Sequence, residues 1–401
     1  MRVAYVCADV GVPVFGQKGC SVHVQEVVAA LRRTGAAVDL FAARLDGAAP
    51  PPLRDVTVEP LPCPRQGDAA ERERAALAAN AALESALARR GPFDVVYERY
   101  SLWSFAGMEH ARDAGTAGLL EVNAPLVEEQ AAHRRLVDRE LAERVAGRAF
   151  AAASALLAVS DSLARRLEHH PAALGRVHVV PNAVDPQRFP ADLPPTRPAG
   201  EGVLTVGFLG SLKPWHGLAA LAEAFALLHE RRPASRLLVV GDGPERVAFE
   251  SALATRGVRE AAELTGAVSP DAVPGLLASM DIAVAPYPPQ PGFYFSPLKV
   301  YEYMAAGLPV VASGIGQIEE AIRDGASGLL CPPGDPQAFA GALLRLADDP
   351  ALRARLGQAA RRSVLADHTW SAVAERIIGL AREAVNRRRH IAARGADARP
   401  R

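Results

Sequence analysis

An α/β fold of two doubly wound, Rossmann-like domains facing each other across a cleft is predicted by three observations. Short apolar runs alternate with longer stretches of helical period along nearly all of the 401 residues, the rhythm of a parallel sheet covered on both faces. That rhythm halts at 186–202, where PQRFPADLPPTRPAGEG holds five prolines and two glycines and can sustain neither a ladder nor a helix. The length, finally, allows two domains of about 130–200 residues each.

The first domain is expected over 1–185. A buried strand at 2–8 leads into a helix at 20–34 closed by Gly35, a strand at 38–43 and an Ala-rich helix at 69–90. Strands at 94–97, 119–123, 155–159 and 177–180 follow, with helical stretches between them. After the linker at 186–202, the second domain, 203–368, repeats the pattern with strands at 203–209, 236–240, 263–266, 281–285 and 309–312. Helices are expected there at 218–231, 244–256, 271–279 and 298–306, with a helical tail from 335. The last segment, 369–401, is expected to be a helix crossing back to the first domain, with a basic end.

Hydrophobic residues make up 49% and charged residues 22% of the chain, which supplies two cores and excludes wholesale disorder. Lys+Arg and Asp+Glu are both 45, so no chain-wide attraction for nucleic acid or an acidic membrane exists, and a bound anion must be met by local residues. Cys7, Cys20, Cys63 and Cys331 lie too far apart for a zinc knuckle or redox pair. The apolar run at 3–8 is short for a secretory leader and no 18-residue apolar run occurs, so a cytoplasmic setting is expected. The basic run at 386–390 reads as a solvated tail, with contact to anionic lipid as the alternative.

Lysine occurs only at 18, 213 and 299, and the other 42 basic residues are arginine. All three lysines sit near Gly or Pro in expected loops. Lysine is a compact, hydrated point charge suited to phosphate oxygens where a planar fork is not needed. In open parallel sheets ligands bind beyond the carboxyl ends of the strands. The polar residues expected there are Glu98, Arg99 and Tyr100, Glu121 and Asn123, Ser160 and Asn182 in the first domain. Ser211, Lys213, Asp242, Ser269 and the loop at 287–299 take those places in the second.

Gly16-Gln17-Lys18-Gly19 follows a strand and precedes a helix, where backbone amides can approach a diphosphate, or where a loop merely needs glycine. Phe208 to Gly217 reads FLGSLKPWHG; Lys213 and a chargeable His216 precede a helix whose dipole favours an anion. Gly241-Asp242-Gly243-Pro244 is a tight strand-to-helix turn with Asp242 as a cap or a ligand contact. In Thr265 to Asp271, Ser269 is expected to cap and the backbone of 266–268 to border a ligand. Tyr294 to Pro309 reads YFSPLKVYEYMAAGLP; Lys299 opens a helix, and Glu302 shares its face.

These motifs, taken in order with Val-Pro-Asn-Ala-Val-Asp at 180–185, resemble glycosyltransferase family 4, and the resemblance runs from about residue 2 to 380. It implies the two-domain GT-B fold, a nucleoside diphosphate sugar held mainly by the second domain, an acceptor held mainly by the first, and metal-independent transfer with retention at the anomeric carbon. The family's Gly-Arg and following Lys fall on Ser211 and His216, with Lys213 between them. Its Glu-x7-Glu pair falls on Tyr294 and Glu302; Glu302 keeps the residue expected on the ribose, while Tyr294 replaces a sugar-contacting carboxylate. A frequent His at a first-domain strand end corresponds to Asn123.

The resemblance assigns donor binding to Gly16, Gly19, Ser211, Lys213, Val268, Ser296, Pro297, Leu298, Lys299 and Glu302. Lys213, Lys299 and His216 are expected to stabilise the leaving diphosphate. Glu98, Glu121, Asn123 and Tyr294 are candidates for acceptor or sugar contacts, with Glu98 or Glu121 as an alternative base. The expected reaction moves a sugar from a GDP- or UDP-linked donor to a hydroxyl or thiol of a small soluble acceptor, as in natural-product biosynthesis, with no metal and no further cofactor. The alternatives are a lipid-linked or cell-envelope glycan as acceptor, a GT-B sugar-nucleotide hydrolase or epimerase, and a two-domain binding protein without chemistry. The oligomeric state is left open.

Overall fold

Every predicted apolar run becomes a strand in the computed structural model, which describes residues 1–397. The first sheet has seven parallel strands: β1 (Arg2–Cys7), β2 (Ala37–Ala42), β3 (Thr57–Pro60), β4 (Val95–Arg99), β5 (Ala117–Val122), β6 (Ala155–Ala158) and β7 (Val177–Val179), in the order β3-β2-β1-β4-β5-β6-β7. The second has six: β8 (Leu204–Leu209), β9 (Ser235–Val240), β10 (Ala262–Leu264), β11 (Ile282–Ala285), β12 (Val310–Ser313) and β13 (Leu329–Cys331), in the order β10-β9-β8-β11-β12-β13. Both orders reverse direction beside their first strand, the doubly wound pattern.

Side-chain alternation places an apolar core on each face of the second sheet. Phe208, Leu237 and Val239 meet Leu221, Phe225 and Leu228 of the helix Leu218–Arg231. Leu238, Val240, Ala283 and Ala285 belong with Val300 and Met304 of the helix Leu298–Ala305. Burying each large apolar side chain contributes roughly 1.5–3 kcal/mol. Strands β3 and β13 were not read from the sequence; β3 is a half-exposed edge whose apolar pattern is weak.

The chain divides into two units, Met1–Pro181 with the segment from Trp370 onward, and Asn182–Thr369. The break therefore falls before 185, and the stretch expected as a linker is part of the second unit. Asn182 donates its amide to Ser296 Oγ at 3.0 Å, Thr196 donates its amide to the Gly275 carbonyl, and the amide of Arg197 donates to Ser279 Oγ. Proline excludes regular structure there but not packing against it.

The helical tail expected from 335 is two helices, followed by the separate last helix expected at 369–401. Asp335 and Asp349 cap Pro336–Asp348 and Pro350–Asp367, each with proline in the first turn. The last, Trp370–Asp397, packs on the helix Gly19–Arg33 and on β5 through Trp370, Ala374, Ile377, Ile378, Ala381 and Ala384, all buried at helical spacing. Of the basic run at 386–390, the side chains from Arg388 on lie outside the described residues. Among the described residues no helix is long and apolar enough to cross a membrane.

Candidate functional site

The order of the second sheet reverses between β8 and β11, so the loops after these two strands meet at a switch point. Gly217 shows how closely. It adopts φ 66°, and a Cβ there would lie 1.6 Å from the Pro286 carbonyl oxygen that follows β11, a left-handed, close approach open only to glycine. The helix Leu298–Ala305 is fastened to the same strand end, because the Leu209 amide donates to the Tyr303 hydroxyl at 2.6 Å.

Lys299 enters this corner. As the second residue of its helix it sends its side chain back toward the N-terminus, where it is 8% exposed. Its ammonium lies 4.3 Å over the Phe208 ring and 5.5 Å from that of Tyr287, and Nζ has no hydrogen-bond partner among the described residues. A Cβ on Gly210, at φ 142°, would stand 2.7 Å from Nζ, so glycine keeps the approach to the lysine open. Burial pushes the ammonium down to about 7, and Glu302 pulls it back upward. Three ammonium donors held against aromatic faces without an acceptor constitute an unmet demand for an anion.

His216 differs from its expected role. Its Nδ1 lies 2.5 Å from the Ser211 carbonyl, which can only accept, so the proton resides on Nδ1. Burial first, then the charge of Lys299, pushes the imidazolium down to about 3. The chargeable His216 read from the sequence is thus neutral near pH 7; packed edge-on against Phe208 and Tyr287, it walls the corner. Lys213 is half-buried, with Nζ 5.8 Å from the ring of the exposed Trp215.

Glu302, expected on the ribose, has its Oε1 3.5 Å from Nη1 of Arg188. Ser296, which precedes Pro297 and Leu298 at the helix start, is buried and bonded to Asn182. Tyr294 is buried with its ring 4.5 Å from that of Phe295, and Val268 is half-buried against the same core. Asp242 and Ser269 do not cap: the Asp242 carboxylate accepts from the adjacent Gly243 amide, and Ser269 makes no side-chain cap bond.

In the first unit the corresponding reversal lies between β1 and β4. Gln25 holds the carbonyls of Val14 and Gly16 in the loop after β1, and Gly19 opens the helix Gly19–Arg33 with Lys18 as an uncapped N-cap. The candidate carboxylates are turned inward. Glu121, opposite Arg99 in the ladder, accepts from His23 Nε2 at 2.6 Å and lies 3.6 Å from Arg99 Nη1. Burial pushes its carboxyl up, but His23 and Arg99 outweigh it and hold it at about 2. Glu98 lies beneath the helix Ala106–Asp113, where a Cβ on Gly107 would be 2.3 Å from its Oε2. Ser104 donates to it, and burial raises it to about 7. Neither carboxylate is freely placed as a base. Asn123 is half-buried, with an unpartnered Nδ2.

Sequence reasoning missed Arg188, Tyr303 and His23. Arg188 was hidden in a proline-rich stretch, and the other two on apolar helix faces where a bland core role is the default.

Two family models match the chain: Glycosyltransferase Family 4 over residues 18–188 and Glycosyl transferases group 1 over 203–349. The D-inositol 3-phosphate glycosyltransferase of Acidothermus cellulolyticus is 30% identical over 96% of this chain and 88% of its own. The alpha-D-kanosaminyltransferase of Streptomyces kanamyceticus is also 30% identical, over 45% of each chain, so the match spans about half of that relative. Among solved structures, sucrose-phosphate synthase from Thermosynechococcus elongatus superposes with a TM-score of 0.73 at 20% identity, covering 96% of this chain and 98% of the other. Anabaena HepE in complex with UDP and glucose gives 0.72 at 21% identity, over 94% and 98%. These last two establish the GT-B fold.

Proposed function

This chain belongs to glycosyltransferase family 4, and from that premise we propose that it transfers a sugar with retention from a nucleoside diphosphate sugar to a small acceptor without a metal ion. It is a GT-B glycosyltransferase; the donor, the acceptor and the roles of individual residues are the proposal. The observation that carries it is the buried ammonium of Lys299, unpartnered at a helix N-terminus on the switch point of the second sheet.

Charge develops on the β-phosphate as the glycosidic bond breaks. Lys299, joined by Lys213 and the amides of Leu298 and Lys299, stabilises that charge in a corner walled by Phe208, Tyr287 and neutral His216, where electrostatic interactions are stronger than in water. Because His216 contributes no cation, the lysines carry the role that the family's basic pair suggested for Ser211 and His216. The acceptor approaches the anomeric carbon from the leaving-group face, and the departing phosphate oxygen takes its proton. That route requires neither Glu98 nor Glu121, which agrees with their burial. Glu302 holds the ribose hydroxyls, and a small polyol or aminocyclitol acceptor is supported by the names of two relatives, the D-inositol 3-phosphate glycosyltransferase above and a 2-deoxystreptamine glucosyltransferase of Streptomyces kanamyceticus, 31% identical over 44% of this chain and 46% of its own.

Calorimetric titration with UDP, GDP, TDP and ADP, followed by mass spectrometry with the matching sugar nucleotide and either D-inositol 3-phosphate or 2-deoxystreptamine, tests the reading. One diphosphate is expected to bind and to identify the donor. Failure of all four to bind overturns the donor site; consumption of the sugar nucleotide at equal rate with and without acceptor makes the enzyme a hydrolase.

A further inference from the structure

Of the three tryptophans, Trp370 is 2% exposed and Trp103 is half-buried, whereas Trp215 is 41% exposed and contributes to neither core of the second sheet. An indole left in water forgoes the gain that burial would bring. One exposed apolar side chain is ordinary by itself. What distinguishes Trp215 is that the fold holds it still, in the loop that carries Lys213.

Its backbone is fixed on both sides. Pro214 opens the 3-10 turn Pro214–His216 with φ preset by its ring, and the His216 amide donates to the Lys213 carbonyl at 3.0 Å. The His216 ring is tied to the Ser211 carbonyl, and Gly217 closes the turn in the left-handed region against the Pro286 carbonyl. Held in this way, the indole ring lies 5.8 Å from Lys213 Nζ. It is two rings away from Lys299: 6.2 Å to the ring of His216, then 5.6 Å to that of Tyr287, which stands 5.5 Å from Lys299 Nζ. The indole thus forms the outer rim of the corner whose inner wall is Phe208, Tyr287 and His216.

We infer that Trp215 is a platform for the transferred sugar, its π face taking the C–H face of the donor's hexopyranose ring. The inference rests on the donor-site reading above and deepens it. On that reading Lys213 and Lys299 hold the β-phosphate, and the sugar is joined to that phosphate through one bridging oxygen, so its ring falls beside Lys213, where the indole stands. The nucleobase is separated from the same phosphate by the α-phosphate and the ribose. Chemistry agrees with position: a pyranose turns its hydroxyls outward along the rim and C–H bonds toward its faces, and a flat indole with two χ angles covers such a face at small entropic cost. A contact of this kind does not read single hydroxyls. Trp215 supplies affinity common to hexopyranoses and leaves their discrimination to polar groups.

The test uses the purified full chain with the diphosphate that binds among UDP, GDP, TDP and ADP, alone and as its α-D-glucose conjugate. Because the contact is with C–H faces, the glucose conjugate serves whatever the native sugar. In calorimetry without acceptor, Trp215→Ala is expected to weaken the conjugate about tenfold, the order of one aromatic stacking contact, and the free diphosphate by less than about twofold. Trp215→Phe, with a smaller π face, should fall between wild type and the alanine variant. Acrylamide quenching gives a second readout that needs no destabilising variant. The emission that wild type has beyond Trp215→Phe belongs to Trp215, since Trp103 and Trp370 are common to both, and it should be shielded by saturating conjugate but not by saturating diphosphate. Equal weakening of conjugate and diphosphate, or equal shielding by the two, overturns the inference and leaves the donor site standing. Unchanged affinity for the conjugate overturns it as well, and a raised KM for the acceptor in that variant would assign the indole to the acceptor. A wild-type protein that binds none of the four diphosphates removes the donor site, and the inference with it.

Discussion

The two sheets reverse direction in the same way, yet their switch points treat charge oppositely. In the first unit a carboxylate, a guanidinium and an imidazole meet among themselves, Glu121 with His23 and Arg99, and Trp370 closes over His23 with ring centroids 5.2 Å apart. In the second unit a buried cation, Lys299, meets aromatic faces and a histidine that has surrendered its charge, without a hydrogen-bond partner among the described residues, Glu302 opposing the burial only in part. Compensated charge is scaffold; uncompensated charge is a standing cost that a bound anion removes. The difference separates residues that hold the fold from residues that wait for substrate, although both groups are polar, buried and at strand ends.

The largest expected effect breaks the compensated side. Glu121→Gln leaves Arg99 buried without its counter-ion and should destabilise the protein by about 3–5 kcal/mol, read from chemical denaturation. A loss below roughly 1 kcal/mol would place the network outside the fold's supports.

Lys299→Ala should do the reverse. Turnover is expected to fall about 100-fold or more as the leaving diphosphate loses its cation, while the nucleotide-free variant melts no lower than wild type, since an unpartnered buried charge has been removed. Lys213→Ala, on the half-exposed lysine, should lose less. Normal turnover in a folded Lys299→Ala protein would contradict the assignment.

The comparison sharpens along the pH axis. Glu121 sits at about 2 against an ordinary 4.5, so its contribution is fully present above 4.5 and fades as pH falls toward 2. Lys299 sits at about 7 against an ordinary 10.5: its charge opposes folding below pH 7, and that opposition fades as pH rises from 7 toward 10.5. Anion binding favours the charged form, so nucleotide affinity should be greatest below pH 7 and weaken by up to about tenfold per unit above it, with proton uptake on binding. Calorimetry in buffers of different ionisation enthalpy measures that uptake. Pyrophosphate affinity independent of pH between 7 and 9 would show Lys299 already charged in the free protein.

The smallest effect concerns metal. With charge supplied by Lys213 and Lys299, activity should persist in EDTA with less than about a twofold change; a requirement for Mg²⁺ or Mn²⁺ would mean that the lysines do not suffice.

How much of this was legible in the chain follows from the range of each force. The strands, the main helices, the lysine-bearing loops and the family could be read because apolar period, Gly and Pro placement and motif order are local properties carried by consecutive residues. Lys299 could be selected from the sequence by its place at a helix start just after Pro297, but its meaning could not. Only folding put Phe208 and Tyr287 around its ammonium, left it without an acceptor and forced the proton off the His216 imidazolium. Only folding turned Glu98 and Glu121 inward, and only folding brought Arg188, 114 residues away in the chain, beside Glu302. Burial and the partners of a charge are sums over neighbours distant in sequence, and they decide whether a polar residue supports the fold or serves the ligand.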